Sequence, residues 1–67
     1  MKNIEFYLGK KVKIISISKN IYIGTVIGIV PAHDNEQEID EIDIYNELDE
    51  RNYGILKSEI VDIKIIK

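Results

Sequence analysis

The residues of this chain with the potential for chemistry are mostly acidic, and they are concentrated. Asp34, Glu36, Glu38, Asp40, Glu41 and Asp43 put a carboxylate at six of ten successive positions, and alternating oxygen ligands are what a hard cation such as calcium takes. A calcium loop counted from Asp34 needs glycine at its sixth position for the sharp turn, and Ile39 stands there. The run therefore reads as a solvated loop, or as an acidic stripe that imitates a phosphate backbone and occupies a basic groove on a partner. His33 is the only histidine and there is no cysteine, so neither a zinc site nor a nucleophile–histidine constellation can be assembled. With no paired acid and base, no nucleophile and no phosphate-binding loop, the chain reads as non-enzymatic, without cofactor or metal.

Two further sets are candidates for binding. Lys10, Lys11, Lys13 and Lys19 form the basic concentration; on a strand Lys11 and Lys13 share a face, which suits phosphate contact, although lysines at a sheet edge also prevent aggregation. Tyr7, Tyr22, Tyr45 and Tyr53 offer rings on which unstacked bases or proline-rich peptides pack, and each is also an ordinary strand residue with a polar tip. The charge is lopsided. Residues 1–30 hold five lysines against Glu5, whereas residues 31–67 hold eleven acids against Arg51, Lys57, Lys64 and Lys67. The net charge of −3 argues against a general phosphate binder, for which a basic surface is expected.

The elements that must position these residues are strands. Sixty-seven residues make one domain, 1–67, near the lower limit for a core without disulfide, metal or partner. The apolar residues are largely β-branched and recur with period two, which predicts five strands: Lys11 to Ser18, Ile21 to Val30, Ile42 to Tyr45, Tyr53 to Lys57 and Val61 to Ile66. Asn20, tolerant of positive φ, turns the chain at Lys19-Asn20; Pro31 ends the second strand; Ser58-Glu59-Ile60 forms a 3₁₀ turn; and Asn3 to Leu8 makes one helical turn capped by Asn3. No apolar run approaches the length of a membrane span and no signal-like segment opens the chain, so a soluble protein of a reducing cytoplasm is expected. The many isoleucines, lysines and asparagines suit an AT-rich bacterial or phage genome.

Strand phases say more than strand ends. Val61, Ile63 and Ile65 should face the core while Asp62 and Lys64 face solvent. In the second strand Ile21, Ile23, Ile27 and Ile29 lie on one face, with Tyr22, Val26 and Val30 on the other beside Gly24 and Gly28, so both faces need cover. A long strand bent at its glycines, serving the core on one side early and on the other late, meets that need. Cover from a second subunit is the alternative, with Ile15 and Ile17, together with Tyr45 and Tyr53, as the interaction surface; otherwise Ile15 and Ile17 pack beneath the N-terminal segment.

Leu8-Gly9, Val12, Ile14, Tyr22, Gly24 and Val26 follow the opening motif of the Sm-like family, a branch of the small SH3-like barrels, and the order of elements resembles that family over nearly the whole chain. The resemblance implies an all-β fold: a five-stranded, strongly bent SH3-like (Sm-like) barrel with a short N-terminal helical turn and subunits joined edge to edge. By the same resemblance Asp34, Asn35 and Lys57 are the counterparts of an RNA site, to which the basic concentration would add Lys10, Lys11 and Lys13, although the Arg-Gly pair of RNA-binding members is replaced by Lys57-Ser58-Glu59 and acids surround it. The expectation is thus a protein-binding module that self-associates through an exposed strand edge, with an Sm-like nucleic-acid binder and an acidic phage-type inhibitor as the alternatives.

Overall fold

The computed structural model describes residues 4–34 and 38–66, with the backbone alone at Asp34. Its strands are β1 (Lys11–Ser16), β2 (Ile21–Val30), β3 (Glu41–Asn46), β4 (Arg51–Leu56) and β5 (Ile60–Ile65), with 3₁₀ turns at Ile4–Tyr7, Ala32–Asp34 and Lys57–Glu59. All five pair antiparallel in a single sheet of order β4-β3-β2-β1-β5. The sheet is not closed into a barrel, since β4 and β5 are its two edges.

The first turn departs from expectation at its centre. Lys19, not Asn20, takes the left-handed conformation, with φ of 68°. β1 stops at Ser16 because the turn needs the residues after it: the Ser16 amide donates to the Asn20 carbonyl at 2.9 Å, and the Asn20 amide donates to Ser16 Oγ at 3.2 Å. Ser16 is thereby a buried but satisfied hydroxyl. The expected N-terminal helical turn is present as a 3₁₀ turn beginning at Ile4; Asn3, its expected cap, lies outside the described residues. Gly9 follows it at φ of 81° and donates its amide to the Val26 carbonyl at 2.9 Å, so this short segment is hydrogen-bonded to β2 through a position only glycine takes without strain.

One face of the sheet makes the core. Val12 and Ile14 of β1, Val26 of β2, Ile42 and Ile44 of β3, Ile55 of β4, Ile63 of β5 and Tyr7 form a single buried cluster, with Tyr22, Ile29, Tyr53 and Ile60 packed against it. Ile55 and Ile63 come from opposite edges of the sheet, so the sheet must curl to bring them into one cluster. Its curvature has two identifiable sources. A bulge at Ile27, between the pairs Val26–Ile44 and Gly28–Asp43, reverses the phase of β2: Tyr22 and Val26 point inward before it and Ile29 after it. This is the mid-strand change of side anticipated from Gly24 and Gly28. It leaves Ile21, Ile23 and Ile27 exposed.

The second bulge corrects an expectation. Ser16 pairs with Ile60 while Ile15 pairs with Asp62, so Val61 has no partner on β1. Ile60 takes the core place foreseen for Val61, which is 64% exposed, and Ile65, although opposite Val12, is 45% exposed. Of the three residues expected to face the core from β5, only Ile63 is buried. Gly24 lets β2 lie close against β3, since a Cβ there would run into the Tyr45 carbonyl.

Candidate interaction surface

The face of the sheet turned away from the core is mixed in chemistry. Across it run three rows set by strand register: Lys11, Thr25, Tyr45 and Asn52; Lys64, Lys13 and Ile23; and Asp62, Ile15 and Ile21. Ile15, named from the sequence as an interaction residue, thus sits beside Ile21, which is 58% exposed. Tyr45 shares this face. Tyr53 does not, because it lies on the inner side of β4 opposite Ile44, its ring 5.7 Å from that of Tyr22 and its hydroxyl donating to Asp49. That hydrogen bond to a carboxylate is the main cause of a phenol pKa raised above its ordinary value. Ile17 lies just past β1 and is exposed, with its amide bonded to the Glu59 carbonyl at 2.8 Å. The four residues expected to form one surface therefore occupy three places.

The residues proposed for a nucleic-acid site are likewise dispersed. Lys11 and Lys13 share the outer face of β1. Lys10 is committed elsewhere: its Nζ donates to the Phe6 carbonyl at 2.7 Å and stands 4.7 Å from the Phe6 ring centre, capping the 3₁₀ turn. Lys57 opens the 3₁₀ turn between β4 and β5, its amide bonded to the Asp40 carbonyl at 2.8 Å and Glu59 two residues on. Asn35 lies outside the described residues.

The sheet edges carry a feature that strand prediction does not address. The Ile66 amide donates to the Lys11 carbonyl at 2.8 Å. Antiparallel alternation then aims the backbone groups of Lys64 and Asp62 at β1 and those of Ile63 and Ile65 away from it. The same reasoning, from Lys57 bonded to Asp40, turns Asn52 and Gly54 outward on β4. No proline interrupts either strand. Beside β5 the exposed Val61 borders a depression of about 170 Å³ shared with Tyr7, Asp62 and Ile63.

On the outer face of β3, Glu41 and Asp43 lie side by side over Gly54, where a Cβ would come within 2.9 Å of Glu41 Oε2 and 3.2 Å of Asp43 Oδ1. A hydrogen bond between the two carboxyl groups, aided by partial desolvation and mutual repulsion, raises the pKa of Glu41. The glycine makes the room for this pair; the sequence shows the acids but not that Gly54 lies beneath them. Among the described residues no group of three or more His, Cys, Asp or Glu is placed to hold a metal ion, and no helix is long and apolar enough to cross a membrane. Comparison with protein-family models, curated proteins and solved structures finds no match for this chain.

Proposed function

We propose that the protein is a non-enzymatic interaction and assembly module, an SH3-like barrel of Sm-like topology left open, that joins copies of itself through its free strand edges. The observation that carries this reading is the β5 edge. Its outward backbone groups at Ile63 and Ile65 have no partner strand among the described residues, and Val61 and Ile65 stand exposed beside them. An unpaired edge of this kind is a template for a further strand: main-chain hydrogen bonds supply affinity, and apolar side chains beside them supply fit. The strand order, which leaves β4 free at the other end of the same sheet, supports pairing of one copy's edge with another's. A core this small gains from the added burial.

Nucleic-acid binding has less support. Lys10 is held by Phe6, and Lys57 lies off the outer face of β1 that holds Lys11 and Lys13, in the turn between β4 and β5. The test is light scattering behind a sizing column on the wild type and on Val61→Lys with Ile65→Lys. The wild type should exceed the monomer mass, and the double variant should stay folded and lose the part of that mass that edge pairing builds. An unchanged assembly in the variant refutes edge pairing at β5, and steeply salt-dependent RNA retention lost in Lys11→Glu with Lys13→Glu would move the function to nucleic acid.

A further inference from the structure

The turn between β3 and β4 is built to hold Leu48 out. The Leu48 and Asp49 amides both donate to Asn46 Oδ1, at 2.8 and 3.3 Å, the Arg51 amide donates to Asp49 Oδ1 at 3.0 Å, and Tyr53 fixes the other Asp49 oxygen. At the tip of this braced turn Leu48 is 95% exposed, with Glu47 and Glu50 on either side of the pair Leu48-Asp49. Immediately beside it is a depression of about 130 Å³ in the outer face of the sheet, lined by Ile23, Thr25, Tyr45 and Lys11 as well as by Glu47 and Leu48. An apolar projection next to a hollow of side-chain size is the arrangement a two-fold interface requires, because the same patch must offer both halves of the fit.

The charges agree with a second copy as the occupant. Glu47 and Glu50 accompany the projecting Leu48, while Lys11 and Lys13 lie on the outer face of β1 beside the hollow, and none of these four makes an ion pair within 4 Å among the described residues. When two copies meet about a two-fold axis, the acids of each turn come opposite the lysines of the other. We infer that this outer face is a second self-association surface, distinct from the strand edges, in which Leu48 of each copy enters the Ile23–Tyr45 hollow of its partner and the Glu47/Glu50 and Lys11/Lys13 charges set the register. The edge reading is not needed for this contact.

Sedimentation of the full chain tests it. Wild type should show a reversible dimer step, weakened at least about tenfold in Leu48→Glu, a change at a site too exposed to affect folding. Lys11→Glu with Lys13→Glu, and separately Glu47→Lys with Glu50→Lys, should each weaken association, and an equimolar mixture of the two should restore it, because every reversed charge then meets its opposite. Val61→Lys with Ile65→Lys should keep this dimer while losing edge assembly. Association indifferent to Leu48→Glu, or a mixture that stays monomeric, overturns the inference; if the edge variant alone abolishes association, edge pairing stands without it. A wild type monomeric at every concentration overturns both.

Discussion

The two faces of the sheet contain the same residue type in opposite circumstances. Ile14, Ile42 and Ile44 are fully buried on the inner face, while Ile21, Ile23 and Ile27 on the outer side of β2 are 58%, 38% and 52% exposed. The difference comes from strand phase and not from hydrophobicity, since the bulge at Ile27 decides which β2 residues turn inward. One face is committed to folding, and the other is left with apolar area, lysines and a carboxyl pair that folding does not use. Ile21, Ile23 and Ile27 add little to the buried core of a domain this small, which leaves them available to the contacts proposed above.

The contrast should break most sharply at Ile44. Truncating it to Ala removes a fully buried side chain from the core face of β3, at a cost of about 2–5 kcal/mol, so the variant should be largely unfolded by circular dichroism at room temperature. Ile21→Ser, on the outer face, should change stability by about 0.5 kcal/mol or less in urea titration. Equal losses at the two sites would erase the distinction between the faces.

Gly24→Ala tests the close approach of β2 and β3. The new methyl would strike the Tyr45 carbonyl, backbone that cannot step aside cheaply, and should cost about 1–3 kcal/mol. At Lys19, φ of 68° in a non-glycine residue predicts the reverse: Lys19→Gly should gain about 0.5–1 kcal/mol, measured by the denaturation midpoint.

The smallest effect lies with Glu41. Its pKa is raised in the folded chain above the ordinary 4.5, so folding binds a proton that the unfolded chain holds less tightly. The resulting stabilisation is fully present below the unfolded pKa and is lost as pH rises through the folded one. Stability at neutral pH is therefore reduced, and Glu41→Gln should recover about 0.5 kcal/mol or less, solvent screening keeping the gain small, while flattening this part of the pH profile in thermal melts.

The fold was legible where period and residue type agreed. β2 matched from Ile21 to Val30, because Asn20 and Pro31 bracket a β-branched run. Ile63 was placed correctly and Val61 was not, since one bulge residue shifts every side chain beyond it to the other face and no residue type marks a bulge reliably. The turn at Lys19 was located, but its left-handed residue was assigned by propensity to Asn20, whose side-chain amide is instead spent on Ser18 Oγ at 3.1 Å. Of the residues named from the sequence for an interaction surface, Ile15 and Tyr45 share the outer face of the sheet. Leu48 was not singled out, because a lone leucine in an acidic turn resembles loop composition until Asn46 and Asp49 are seen to brace it.

Hydrogen exchange at β5 reaches the central claim most directly. The amides of Asp62 and Lys64 already face β1, while those of Ile63 and Ile65 point to the free edge. Edge pairing predicts that Asp62 and Lys64 are protected at every concentration and that protection at Ile63 and Ile65 appears as concentration rises and the assembly forms. Rapid exchange at Ile63 and Ile65 that is indifferent to concentration, in a sample whose mass shows association, would contradict it.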